Sequence, residues 1–229
     1  GLFGGYDSSS GAANTLYQGS DLQAGGTTYL VADGDVRVRG SRVKAAEGVY
    51  AVSRTGGIGI DVAKGASLTS SSGSTQTVFN ITTDASSTQT TQQVIKGSDL
   101  LSEANLTLIS AEDTEVIGSL LQAAGDIGIT AAGGLAIRAA TADATTLFTS
   151  STTQGYAEGG ADAEAQYSGR VGIETVTTSG AVQTTDVTGA ALQSGGDVSL
   201  SADATVAING STVQAGGDIS LSGTDIDVT

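Results

Sequence analysis

Residues 189–229 contain nearly the same phrase twice, and this repeat constrains the fold more than any other feature of the chain. Leu192 recurs as Val213, Val198 as Ile219 and Leu200 as Leu221, each 21 positions on. Val206 and Ile208 recur as Ile226 and Val228, 20 positions on. Gly195-Gly196-Asp197 returns as Gly216-Gly217-Asp218. A period near 20 residues, with paired apolar positions one residue apart inside each period, is the signature of a solenoid of short alternating strands. Apolar spacings of three and four, which an amphipathic helix needs, are missing.

The phrase occurs earlier as well. Leu100, Leu106, Leu108, Thr114 and Val116 stand 92 positions before Leu192, Val198, Leu200, Val206 and Ile208. Inside this copy the short period is again 21, from Leu100 to Leu121, Leu106 to Ile127 and Leu108 to Ile129. A weaker copy holds Leu22, Leu30, Val36, Val38, Val43 and Val49. Gly-Ser dipeptides at 19, 40, 97, 118 and 210 mark matching turns. The pattern predicts one solenoid over 19–229, with coil pairs at 19–52, 97–140 and 189–229 and variable segments at 53–96 and 141–188. Residues 1–18 read as the tail of a preceding segment. Ile58-Gly59-Ile60-Asp61-Val62 opens the first variable segment as a half-buried strand. The Thr-rich stretches favour extended structure, with disorder as the alternative for Ser70–Ser74 and Asp84–Gln93. Both segments are expected to be the more mobile and exposed parts.

Equivalent residues of successive coils sit over one another at the strand spacing of about 4.8 Å. Leu192 is therefore expected on Val213 and Val198 on Ile219, in apolar columns with Val198 and Ile219 both inward. Each coil offers only a few inward residues, so several coils are needed before burial offsets chain entropy. Composition agrees: aromatics are 4 % of the chain and Gly supplies 34 of 229 residues, which suits a narrow core of Val, Ile, Leu and Ala. The absence of Pro leaves every backbone N–H available for strand pairing. The absence of Met leads us to expect a piece of a longer chain, and the third coil pair carries no polar capping sequence. A net charge of −15 repels nucleic-acid phosphates and anionic lipid, so neither is expected as a partner. No run of 18 apolar residues exists, so no transmembrane helix is expected.

Candidate chemistry is sparse. Asp126, Asp197 and Asp218 occupy equivalent Gly-Asp turns and are expected in one column. Paired carboxylates can perform acid–base chemistry on sugars, but recurrence with the repeat favours turn-forming Asp. With no His and no Cys, the common nucleophile–base pairs are excluded, and no catalytic residue is assigned. The Gly-Gly-Asp turns lack the second half of the nonapeptide calcium repeat, so no metal ligand or cofactor is assigned. Asn80, Asn105 and Asn209 head acceptor triplets for glycosylation that arise readily by chance in a Ser/Thr-rich chain. Thr-x-Thr pairs (Thr75/Thr77, Thr88/Thr90, Thr175/Thr177) do not keep the coil period, as an ice-binding solenoid would require. Tyr156 and Tyr167 are candidate binding aromatics, with packing on a strand face as the plainer reading.

The phrases GSDLLSEANLTLISAEDTEVIGSLLQAAGDIGIT and ALQSGGDVSLSADATVAINGSTVQAGGDISL resemble the haemagglutinin repeats of filamentous-haemagglutinin-like exoproteins. That family includes two-partner secretion adhesins and contact-dependent growth-inhibition exoproteins. The resemblance spans 19–229 and departs most at Gly26-Thr27-Thr28-Tyr29. It implies a right-handed parallel β-helix on a secreted or cell-surface filament; the residues themselves, with no assigned catalytic group, lead to the expectation of a non-enzymatic chain. The implied role is a stalk for cell contact or toxin delivery. The implied partners are neighbouring repeats, an outer-membrane transporter during secretion, and an unnamed host or target-cell receptor. The competing readings are a β-helical polysaccharide-degrading enzyme and a calcium-stabilised or ice-binding module.

Overall fold

The computed structural model describes residues 5–77, 82–161 and 167–229; the side chains of Ala161, Tyr167 and Ser168 are not among those described. All of its regular structure is β. Strand β1 (Gly5–Thr15) precedes a first coil of β2 (Asp21–Ala24), β3 (Thr28–Ala32) and β4 (Val36–Arg39). A second coil follows, of β5 (Arg42–Ala45), β6 (Gly48–Ser53) and β7 (Ile58–Asp61). The long strands β8 (Ala63–Thr77) and β9 (Thr82–Lys96) come next. Coils three and four are β10 (Asp99–Ser102), β11 (Asn105–Ser110), β12 (Thr114–Ile117), β13 (Leu120–Ala123), β14 (Ile127–Ala131) and β15 (Leu135–Arg138). After the long β16 (Ala140–Ala161) and β17 (Tyr167–Thr188) come the last two coils. These are β18 (Ala191–Ser194), β19 (Val198–Ala202), β20 (Thr205–Asn209), β21 (Thr212–Ala215), β22 (Ile219–Ser222) and β23 (Asp225–Val228).

The short strands form three parallel six-stranded sheets, one for each side of the coil. Sheet one runs β2-β5-β10-β13-β18-β21, sheet two β3-β6-β11-β14-β19-β22 and sheet three β4-β7-β12-β15-β20-β23. This is the parallel β-helix expected from the repeat. Register follows the sequence period residue for residue: Leu192 pairs with Val213, and Val198 and Leu200 pair with Ile219 and Leu221. Leu106, Ile127 and Val198 form one column, and Leu108, Ile129 and Leu200 the next, all at most 1 % exposed. Alternation places the intervening residues outward. Burying a Leu or Ile contributes about 1.5–3 kcal/mol, and an inward residue of an inner coil has such a neighbour on each side along the axis.

The end coils show what that second neighbour is worth. Ile219 pairs with Val198 as expected, yet it is 49 % exposed where Val198 is fully buried. Leu22, Ile226 and Val228 are likewise half-exposed, because each has a coil on one side only. Ile219 thus stands in register with Val198 as expected, with a coil against one side of it among the described residues.

The expected boundaries also shift. The chain forms two compact units, not one solenoid over 19–229. One unit comprises Leu16–Gly65, Val94–Ala142 and Thr185–Thr229, the six coils. The other gathers Gly1–Thr15, Ala66–Gln93 and Asp143–Thr184. Strand β7, placed by sequence in the variable segment 53–96, is the third side of coil two, with Ile58 paired to Val36 and Ile60 to Val38. The cause is one extra corner residue: Arg54–Gly57 spans the corner that Asp33–Asp35 spans in coil one. The spacing stretches to 22, from Val36 to Ile58, and the 21-residue frame slips.

The second unit is a five-stranded sheet in the order β1-β8-β9-β16-β17. Strand β1 pairs antiparallel with β8, and β9 with β16. Ser70–Ser74 and Asp84–Gln93 lie in these strands, so the extended reading holds for them over disorder. Most residues of β1, β8 and β9 are exposed, and the apolar residues of β16 and β17, such as Val171 and Ile173, are exposed as well. Hydroxyl pairs link its strands instead: Ser9 with Ser72 at 2.8 Å, Thr90 with Thr146 at 3.1 Å and Thr153 with Thr175 at 3.0 Å. Such cross-strand pairs contribute a few tenths of a kcal/mol up to about 1 kcal/mol each.

Two substitutions test the coil stack. Ile129→Asp places a carboxylate between Leu108 and Leu200 and should lower stability by several kcal/mol. Thr130→Asp, one residue on and facing outward, should stay within about 0.5 kcal/mol. Urea unfolding monitored by circular dichroism checks both; equal losses would invert the assignment of faces. Gly118 has a φ of 51°, and a Cβ there would lie 2.6 Å from that of Ala140 and 2.9 Å from Val62 Cγ1. Gly118→Ala should therefore cost more than the ~1–2 kcal/mol of a left-handed non-glycine residue alone, read in the same titration.

Candidate functional surface

The polar groups that recur with the repeat converge on the corners of the coil. At the corner between sheets one and two, Asn105 Oδ1 accepts the Asp126 N–H at 2.9 Å. Asp126 Oδ1 accepts the Asp197 N–H at 2.9 Å, and Asp197 Oδ1 accepts the Asp218 N–H at 2.8 Å. Each side chain thus reaches one coil along the axis and satisfies an amide that the turn leaves without a strand partner. The expected Asp126–Asp197–Asp218 column exists, Asn105 extends it, and its oxygens serve backbone amides. The corner between sheets two and three repeats the device: Asp35 accepts the Gly57 N–H at 3.0 Å and Asp113 the Gly134 N–H at 2.7 Å.

The third corner carries the Gly-Ser turns. Ser20 N–H donates to Ser41 Oγ at 3.1 Å, Ser98 N–H to Ser119 Oγ at 3.1 Å and Ala190 N–H to Ser211 Oγ at 3.2 Å. Gly40, Gly118 and Gly210 adopt positive φ there, which glycine does without a Cβ clash. Buried hydroxyls complete the corners: Ser194 Oγ donates to the Gly125 carbonyl at 2.6 Å, and Ser110 and Thr114 hydroxyls pair at 2.8 Å. Among the described residues no buried side-chain polar atom lacks a partner. Nor does any group of three or more acidic residues among them have metal-binding geometry.

The outward faces are uneven. Arg37, Arg39, Lys44 and Arg54, all in the first two coils, pair with Asp35, Asp61, Glu103 and Asp33 at 2.7, 3.9, 3.1 and 2.9 Å. Arg42 stands in register between Asp21 and Asp99. These exposed pairs add little to stability. On sheet two, Tyr29 and Tyr50 stack with centroids 5.5 Å apart, flanked by the exposed Val31 and Ile109. This apolar strip was not singled out in the sequence, although Tyr29 and Tyr50 recur at 21 residues.

The remaining sequence candidates are spread over both units, with some outside the described residues. The Tyr156 ring lies over Gly172 on the neighbouring strand, and Phe148 lies over Gly180; both aromatics cover glycines that leave the sheet bare. Tyr167 opens β17, and its side chain lies outside the described residues, as does Asn80. Asn105 is committed to its corner, and Asn209 ends β20. Thr175 pairs with Thr153, and Thr90 with Thr146. A shallow cleft on this sheet, of about 430 Å³, is lined by hydroxyls such as Ser9, Ser72, Ser86 and Thr149.

The chain belongs to the family described as Hemagglutinin repeat, which matches residues 2–90 and 79–229. It is 30% identical over 209 residues to a hemolysin of Serratia marcescens, covering 90% of this chain and 13% of that protein. It is 36% identical over 121 residues to a hemolysin of Proteus mirabilis, covering 53% of this chain and 8% of that protein. The chain thus spans a small fraction of the length of the curated relatives it matches. No solved structure matches it.

If the corner column is structural, its amide acceptor is what matters. Asp197→Asn keeps that acceptor and should change stability by under about 0.5 kcal/mol. Asp197→Ala strands the Asp218 N–H and should cost about 1–3 kcal/mol. Melting with and without EDTA should give the same midpoint in the parent and in both variants; a drop on chelation would reveal a cation role for the column.

Proposed function

We propose that this chain is a structural repeat segment of a large secreted exoprotein, a stiff stalk that serves surface contact or toxin delivery. The observation that carries this reading is the stacking of six coils in strict register on one continuous apolar core, with its recurrent polar groups committed to corners. Such a stack lengthens by one strand spacing per coil and resists bending because every coil is bonded to its neighbours along three sides. Family membership and the hemolysin-named relatives support an exported parent. An outer-membrane transporter is then the partner during export, and a receptor on the contacted cell the partner afterwards. The carboxylates most suggestive of sugar chemistry hold backbone amides, which favours a non-enzymatic role over a polysaccharide-degrading one.

The test removes residues 97–188 in frame from the full-length parent. Leu100 and Leu192 occupy equivalent positions, so coil two then meets coil five in register. The expected outcome is normal export, retained cell contact, and a filament about 10 Å shorter for the two lost coils. Normal export with loss of contact would overturn the stalk reading and place a specific receptor or activity in this segment. Release of reducing sugar from acidic polysaccharides by the isolated chain would restore the enzyme reading.

A further inference from the structure

The antiparallel unit grows by a rule visible in its own pairings. A strand that returns toward a coil pair takes, on its next edge, the strand that leaves that coil pair. Strand β1 precedes coils one and two and pairs with β8, which follows them. Strand β9 precedes coils three and four and pairs with β16, which follows them. Strand β17 precedes coils five and six, ends the sheet order, and has no strand on its second edge among the described residues.

The sequence supports the equivalence. Ser8-Ser9-Ser10-Gly11-Ala12-Ala13-Asn14-Thr15 of β1 matches Thr177-Thr178-Ser179-Gly180-Ala181-Val182-Gln183-Thr184 of β17, identical at Ser, Gly, Ala and the final Thr. Those residues of β1 are the ones paired with Ala66–Gly73 of β8. Each stretch is followed within five residues by the Gly that opens a coil pair, Gly19 or Gly189. Edge strands that must stay unpaired carry Lys, Pro or bulges. Between Thr175 and Thr185, β17 has no charged residue and no Pro, and its Val176 and Val182 are 55% and 53% exposed.

We infer that the second edge of β17, over Thr177–Thr184, is a docking edge for an extended Ser/Thr-rich strand of the β8 class, added antiparallel in the register of β1 on β8. The backbone groups supply the affinity, as in strand addition to other open sheets, and the hydroxyl pairs set the register. In a second folded copy β8 and β16 already carry strands on both edges, so no strand of this class is open in it, and pairing through its edge strands would appear as linked dimers. A strand of a further repeat with a free edge can supply the occupant.

The chain has no cysteine, so register is readable by disulfide trapping. The whole chain carrying Ser179→Cys is incubated in a glutathione redox buffer with a peptide of residues 63–77. Ser179 corresponds to Ser10, which pairs with Ser71. A peptide with Ser71→Cys should therefore cross-link at least tenfold more than one with Ser67→Cys or a scrambled one. Val182→Lys in the same chain should reduce trapping at least fivefold. Equal trapping by all three peptides, or 179–179 linked dimers as the sole product, would overturn the assignment. Circular dichroism of the variants confirms that loss of trapping is not loss of fold.

Discussion

Everything in the coil unit rests on one geometric demand: a residue and its equivalent one coil later must share a level along the axis. Parallel ladders enforce that spacing through backbone hydrogen bonds, and side chains then have to fit their own kind above and below. Like therefore stacks on like, Leu108 on Ile129 on Leu200 inside and Asp126 on Asp197 on Asp218 at a corner. Like carboxylates in a row would repel. They are tolerated because each is turned toward an amide of the next coil, whose N–H dipole stands between neighbouring charges. The same demand explains the charged face of the early coils, where Arg42 alternates with Asp21 and Asp99 in place of a like-charged column.

How much of this could be read from the residues differs between the two units, for a physical reason. The columns were legible because burial on the inner face forces apolar residues to recur at the coil period; Val198 over Ile219 follows directly. Where the corner lengthens by a residue, as at Arg54–Gly57, the period slips and β7 was placed outside the coil it completes. The 49 % exposure of Ile219 was not legible, because register says which residues meet and not how much of each is covered. The antiparallel sheet was legible only as extended structure. Its described strands bury neither face, so apolar residues such as Val171, Ile173 and Val182 stay exposed, and a sheet with no buried face specifies register weakly in sequence. The partnering of β1 with β8 became readable only once the pairs were known.

The candidate surface shows the same split. The corner Asp column was placed correctly by recurrence alone, whereas Asn105 was missed as its first member because it stands where the Gly-Asp turn is absent. The Tyr29–Tyr50 stack recurs at the coil period but sits on the outward face, where burial does not force apolar residues to recur.

The corner glycines carry a further meaning. Gly40, Gly118 and Gly210 take positive φ where one coil closes into the next within a pair. The equivalent position after coil two is Val62 and after coil four Ala139, as the pairings Arg39 with Asp61 and Ile117 with Arg138 define it. A single residue therefore acts as punctuation. With glycine the backbone bends left-handed and the solenoid continues; with a side chain it departs into a long excursion. The alternation of coil and excursion is written at one letter per coil, so a lineage could add or silence an excursion without rewriting the core that carries it.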